Sequence, residues 1–270
     1  MTPQPRLDVL IPTFERPAAL AVTLAGLAAQ RLDGTRVVIS DQSAQPVATD
    51  PTVLAMLRVL EHHGVHVVCE QHLPRRGLAE QRQHLLESSR APHVLFLDDD
   101  VWLEPWAVGT LVTAIDRLRC GFVGYAVQGL SYRDDVRDHE LTTFEPWEGA
   151  VVPETVRRDG PEWARHRLHN AANPTHLGAR LGLGPGEFAA YKVAWIGACV
   201  LYRRDALVEA GGFSFWDGLP PEHAGEDVVA QLRVMERYGG AGLLPSGAVH
   251  LELPTTVPDR DVECYDTVAW

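Results

Sequence analysis

Between residues 7 and 118 a short apolar run hands over to a helix-patterned stretch four times. The first run, LDVLIP at residues 7–12, stops at Pro12; Pro17 then stands at a first helical turn ahead of Leu20, Leu24 and Leu27, spaced i, i+4, i+7. The unit returns as RVVIS at 36–40 with a helix over 52–63, and as VHVV at 65–68 with a helix over 78–89. HVLFL at 93–97 with a helix over 104–118 completes the set. Apolar strands alternating with helices predict an α/β fold whose mostly parallel central sheet is covered on both faces, with function at the carboxyl ends of the strands.

The rhythm fails over 129–190, where charges, prolines, histidines and tryptophans crowd without a sustained period. This stretch reads as an insertion in a single elaborated domain rather than another repeat. Its GLGPGE at 182–187 is a loop rather than a nucleotide-binding glycine motif, because Glu187 takes the last glycine position and no clear strand precedes it. Order returns over 192–213 as strand and short helix ended by Gly211 and Gly212, then as a helix over 226–238 stopped by Gly239 and Gly240. The chain thus divides into a first half at 1–128, the insertion at 129–190, a second half of the same domain at 191–250, and a tail at 251–270.

Some classes are disfavoured. A formal net charge of −12 opposes general nucleic-acid binding. The cysteines Cys69, Cys120, Cys199 and Cys264 lie far apart without zinc-site spacing, which fits free thiols in a reducing cytoplasm. The first residues are polar and proline-rich where a signal peptide needs an apolar stretch, and no apolar run has membrane-spanning length. A cytoplasmic protein without integral membrane contact is expected, with a peripheral role at a membrane still open.

Three carboxylates, Asp98, Asp99 and Asp100, follow the last apolar run directly. In extended chain Asp98 and Asp100 project to one side and Asp99 to the other. Two hard anionic oxygens at a strand end suit Mg²⁺ or Mn²⁺, whose charge offsets their repulsion; a solvated acidic loop is the plainer alternative. DDDV at 98–101 also carries the D-x-D of the D-x-D-x-[T/V] motif of haloacid-dehalogenase-like phosphohydrolases, although Trp102 takes its last position. That reading makes Asp98 a nucleophile, but it needs a phosphate-holding lysine where the chain has only Lys192. Glu226 and Asp227 open the later helix, where they act as dipole-stabilised caps or supply a general base. Asp41, after a strand, is a turn-former or a ligand acceptor, and Arg82 faces solvent or a phosphate. His250, alone, is uninformative.

Taken together these stretches resemble the inverting glycosyltransferases of family 2, with their nucleotide-sugar-binding, Rossmann-like GT-A fold. VLIPTFERPAALAVTLAGL is similar to that family's opening strand and helix, VVISDQS to its second strand, and GLAEQRQHLLESSRAPHVLFLDDDVWLEP to its helix and D-x-D strand. GACVLYRRDALVEAGGF followed by GEDVVAQLRVMERYGGAGLLPSGAVH resembles its acceptor-side strand, ED helix and closing histidine. Gln83 stands where the family commonly has asparagine, and Asp99 fills the variable middle position of D-x-D.

The resemblance implies roles. Pro12 and Thr13 line the nucleotide pocket, Asp41 receives the base, and Arg82 lies near the diphosphate. Asp98 faces the ribose or metal, with Asp99 grouped among the donor-side residues. Asp100 and His250 coordinate Mn²⁺ or Mg²⁺, and Asp227 is the base. Glu226, Trp195 and Trp216 are assigned weakly to the acceptor, with Trp147 and Trp163 as further candidate stacking surfaces. The expected donor is a nucleoside-diphosphate sugar, by family frequency a UDP-sugar, and the acceptor a small molecule, peptide or saccharide.

Overall fold

The computed structural model describes residues 5–257 and 260–270. Residues 1–4, part of the N-terminal stretch weighed against a signal peptide, and residues 258–259 of the tail lie outside the described residues. In chain order the elements are β1 (Leu7–Thr13), α1 (Pro17–Ala28), β2 (Thr35–Asp41), α2 (Pro51–His62), β3 (His66–Gln71), α3 (Leu78–Ser88), β4 (His93–Leu97), β5 (Val101–Leu103) and α4 (Ala107–Leu118). They continue with β6 (Phe122–Gly124), α5 (Asn173–Leu181), β7 (Ala189–Tyr191), β8 (Cys199–Arg203), α6 (Arg204–Glu209), α7 (Glu226–Tyr238), β9 (Gly240–Leu244), β10 (Ala248–His250) and α8 (Cys264–Thr267).

The main sheet has the order β3-β2-β1-β4-β8-β6-β9-β7, with β7 and β8 antiparallel to their neighbours and the other strands parallel. Period-two alternation explains the unbroken apolar runs. Val9 and Ile11 join one buried cluster with Leu24 and Leu111, while Leu10 between them joins a second with Phe96 and Phe213, so both faces are covered. Local signals set several helix starts: Pro17 begins α1, and the Asp50 side chain caps α2 by accepting from the Thr52 and Val53 amides. No helix among the described residues is long and apolar enough to cross a membrane.

Three expectations change. The helix expected from Glu104 starts at Ala107, after a turn in which the Ala107 amide donates to the Glu104 carbonyl. Within 192–213 the strand begins only at Cys199. The stretch 129–190 is woven into the sheet: β7 pairs with β9 as an edge strand, and α5 precedes it. β7 is only three residues long, Ala-Ala-Tyr, too short to carry a readable period.

A second, two-stranded sheet positions the site. β4 ends at Leu97 and β5 resumes at Val101, where it pairs antiparallel with β10 so that His250 lies opposite Val101. The Leu251 amide donates to the Asp100 carbonyl at 2.9 Å, fastening the tail beside the acidic turn.

Candidate functional site

A cavity of about 620 Å³ opens at the carboxyl end of the parallel strands, lined by Pro12, Thr13, Asp98, Asp99, Asp100, Arg82, Glu226, Asp227 and His250. The first strand, the acidic turn, α3, α7 and β10 therefore converge on one space, as the fold rule for open α/β sheets requires.

The acidic triplet is a turn rather than extended chain, and the expected alternation fails with it. Asp98 accepts from Arg82 Nη2 at 2.7 Å. Asp99 and Asp100 both face Arg16, whose Nη1 lies 3.5 Å from Asp99 Oδ1 and 2.7 Å from Asp100 Oδ2. Asp99 is turned inward, accepting from the Thr13 hydroxyl at 2.7 Å while its own carbonyl accepts from Thr23 Oγ1. Burial pushes the Asp99 carboxyl up to about 7, against the Thr13 hydrogen bond. Burial also disfavours ionisation of Asp100, but the hydrogen bond and charge of His250, together with Arg16, outweigh it and hold that carboxyl below its usual range.

Arg82 ties the donor side to α7. Besides Asp98, its Nε lies 3.0 Å from Glu226 Oε1, an ion pair by distance whose alignment is poor for a hydrogen bond. Desolvation disfavours the guanidinium, but Asp98 and Glu226 reverse this and raise its pKa. Asp227 lines the cavity beside this pair and accepts from the Val228 amide at 2.9 Å. Burial first, then the Glu226 charge, pushes its carboxyl up to about 7.

His250 Nε2 faces Asp100 Oδ2 at 3.4 Å, and its Nδ1 accepts from the Glu252 amide at 3.0 Å. The hydrogen bond to Asp100 raises the imidazole pKa. Asp100 and His250 fit two ligand positions of a divalent ion. Among the described residues no group of three or more His, Cys, Asp or Glu side chains could hold one unaided, so the remaining ligands would be water or substrate oxygens. A metal here must also displace Arg16 from Asp100 and the proton from His250 Nε2.

Two expected residues stand elsewhere. Asp41 does not line the cavity; its carboxylate oxygens accept from the Ser43 amide at 2.8 Å and the Val47 amide at 2.7 Å, so it forms the turn after β2. Trp216 also stays outside, beneath the Arg76 guanidinium. Trp195 lines the cavity, stacked by His166 and packed against Trp163. Trp147 lies under Lys192, which pairs with Glu145 at 2.8 Å and does not line the cavity, so the lysine needed for a phosphohydrolase is missing from the site.

The structure adds residues that carried no sequence signal. Arg16 reaches from the first loop to the acidic turn and donates to the Pro254 carbonyl of the tail. His223 accepts from the Ala79 amide at 3.1 Å and so caps α3 from the loop before α7. Glu263 bridges that same loop at Ala224, and Leu253 and Thr255 line the cavity, so the tail contributes to its lining.

Solved structures share this fold. A mannosyltransferase from Pyrobaculum calidifontis, in complex with GDP-Man and Mn²⁺, superposes with a TM-score of 0.53 at 17% identity, covering 89% of this chain and 57% of that one. Residues 1–349 of TarS from S. aureus, in complex with UDP-GlcNAc, give a TM-score of 0.53 at 16% identity, covering 93% of this chain and 60% of that one. The chain thus spans under two thirds of the length of either structure. No curated protein sequence matches. The sequence profile of glycosyl transferase family 2 matches residues 8–209, from β1 through the acidic turn to the end of α6. The fold is therefore the GT-A fold of glycosyltransferases, and the chain belongs to glycosyl transferase family 2.

Proposed function

We propose that this glycosyltransferase moves a sugar from a nucleoside-diphosphate sugar, with UDP as the expected nucleotide, to an acceptor hydroxyl with inversion at the anomeric carbon. The observation that carries the reading is Asp227, which lines the same cavity as Asp98–Asp100 with its carboxyl pushed up to about 7. Such a group is substantially ionised near neutral pH yet basic enough to take a hydroxyl proton. The complexes of the two similar structures with GDP-Man and UDP-GlcNAc support a nucleotide-sugar donor.

The nucleotide lies over Pro12 and Thr13, with Arg82 and Asp98 toward its ribose and diphosphate. Asp227 takes the proton from the acceptor hydroxyl as its oxygen bonds to the anomeric carbon, and the bond from that carbon to the diphosphate oxygen breaks. One displacement inverts the centre without a covalent enzyme intermediate. Asp100 and His250 would hold Mn²⁺ or Mg²⁺, which when bound supplies positive charge to the departing diphosphate. Arg16, once released from Asp100, carries its positive charge at the same end of the cavity.

The test is a panel of nucleotide sugars, with and without Mn²⁺, read by melting temperature and by release of nucleoside diphosphate. Stabilisation by one donor together with metal-dependent release is expected, with the product configuration read by proton NMR. Release of inorganic phosphate from monoesters without use of any nucleotide sugar would overturn the reading.

A further inference from the structure

The stretch 129–190 also walls this cavity, where His166, His169 and Asn170 join Trp195. The His166 ring stacks parallel on Trp195 at 5.3 Å and 6°. Its Nδ1 donates to the Trp163 carbonyl at 2.8 Å, so in the neutral ring Nε2 is an acceptor, with no protein partner among the described residues. Asn170 Nδ2 donates to Glu140 Oε1 at 3.1 Å, and its Oδ1 is likewise left as an acceptor. Burial holds His169 neutral, its pKa pulled down to about 4. The wall is therefore aromatic, contains no Lys or Arg side chain, and presents His166 Nε2 and Asn170 Oδ1 without protein partners among the described residues.

The one buried cation of this stretch adds no positive charge to the wall, because Arg165 is neutralised by Glu145 at 3.1 Å and Glu154 at 2.9 Å and does not line the cavity. The arginines that do line it, Arg16, Arg82 and Arg260, belong to the first loop, α3 and the tail. Glu226 and Asp227 stand beside the wall. A phosphate dianion brought here offers only acceptor oxygens and meets lone pairs and carboxylates, an arrangement that repels it. A polyol offers hydroxyl donors for Nε2 and Oδ1, and a ring face for the stacked aromatic surface.

We infer that the stretch 129–190 completes the acceptor end of the cavity and selects a neutral, ring-bearing saccharide over a phosphorylated one, with His166 and Asn170 as specificity-determining residues. The inference rests on the glycosyl-transfer reading above and names the acceptor class for that site.

The experiment uses the full chain, Mn²⁺ and each nucleotide sugar that raises the melting temperature. The acceptor probes are methyl glucoside, methyl mannoside and cellobiose, set against glucose 6-phosphate and mannose 6-phosphate. Nucleoside diphosphate release is measured and products are confirmed by mass. At least one neutral sugar is expected to raise release above the rate in water, with the phosphorylated sugars at least tenfold poorer in kcat/KM. His166→Ala and Asn170→Ala are each expected to raise the KM of that acceptor about fivefold to tenfold, the loss of one hydrogen bond, with a smaller change in kcat. Affinity for UDP reports that the variants are folded; should they not be, the neutral against phosphorylated comparison in the native protein decides alone. Phosphorylated sugars used as well as neutral ones, no neutral sugar used while the donor is hydrolysed, or an unchanged KM in both folded variants overturns the proposal. Absence of nucleoside diphosphate release from every donor, with or without sugar, overturns the glycosyl-transfer reading instead.

Discussion

Arg82 and Glu226 neutralise one another in the floor of the cavity, Nε 3.0 Å from Oε1, with side chains only 5% and 4% exposed. The pair joins the middle of α3 to the first turn of α7, two elements that meet in space but lie far apart in sequence. Arg82 also holds Asp98, so one guanidinium sets the distance between the donor-side acid and the helix that presents Asp227. Glu226 is thereby committed to an ion pair, whereas Asp227, which also lines the cavity, makes none among the described residues.

Arg82→Ala should leave Glu226 buried beside Asp98 without a counter-charge. Removing one partner of a buried pair destabilises by about 3–5 kcal/mol, and urea unfolding should show a midpoint lowered accordingly. The double variant Arg82→Ala, Glu226→Gln should recover part of this loss, because the orphaned charge is gone. A single-variant loss that the second substitution does not relieve would mean that the pair contributes packing rather than charge balance.

Asp227→Asn removes a base while keeping the shape of the site. Turnover should fall by about 10²–10⁴-fold, with affinity for the donor nucleotide close to that of the native protein. In the native protein, the carboxyl pushed up to about 7 must lose its proton to act, so kcat/KM should rise with pH through about 7 and level above it. Below that point the slope should approach tenfold per pH unit. A flat profile between pH 5 and 8 contradicts the assignment.

Much of this was legible in the chain. Apolar runs buried on both faces announce parallel strands, and an acid pair opening a helix that ends in two glycines announces α7. What the sequence cannot carry is contact made by a side chain reaching out of its own element. Arg16 sits in a loop where any charged residue is ordinary; only the turn at Asp98–Asp100 and the tail carbonyl of Pro254 reveal its position. The same turn defeated the alternation rule, because period two holds only while the chain stays extended. Asp41 had two readings, and the amides of Ser43 and Val47 show it forming the turn after β2. Histidines 166 and 169 lie in a 3-10 stretch without a pattern to mark them, and their meaning comes from Trp195, more than two dozen residues later.

Asp99 predicts a pH dependence of stability. Its folded-state pKa of about 7 stands above the ordinary value of 3.8, so folding favours its protonated form. The stabilisation is complete below the unfolded value and is lost as pH rises through about 7, a span of a few kcal/mol at most. Asp99→Asn keeps a neutral group of the same shape beside Thr13 and Arg16. Its melting temperature should therefore fall less than that of the native protein between pH 5 and 8. Parallel curves for the two proteins would show that Asp99 does not titrate in this range.

Gly77 tests how the two halves of the cavity are held together. It precedes α3 with φ +101, a region that side chains rarely adopt, and a Cβ there would lie 2.6 Å from both His223 Cε1 and the Pro221 carbonyl oxygen. His223 donates from Nδ1 to the Pro220 carbonyl and accepts the Ala79 amide on Nε2, so the ring must stay where it is for α3 to keep its cap. Gly77→Ala therefore combines backbone strain with displacement of that ring, and should destabilise by about 2 kcal/mol or more. Burial lowers the His223 pKa, so its neutral, capping form is favoured in the folded protein; that stability is present above about pH 6.5 and lost as pH falls. His223→Ala should remove the cap without the strain, giving a smaller loss and faster amide exchange at Ala79 measured by mass spectrometry. If Gly77→Ala melts with the native protein, the approach of the loop before α7 to the start of α3 is not what fixes Arg82 against Glu226.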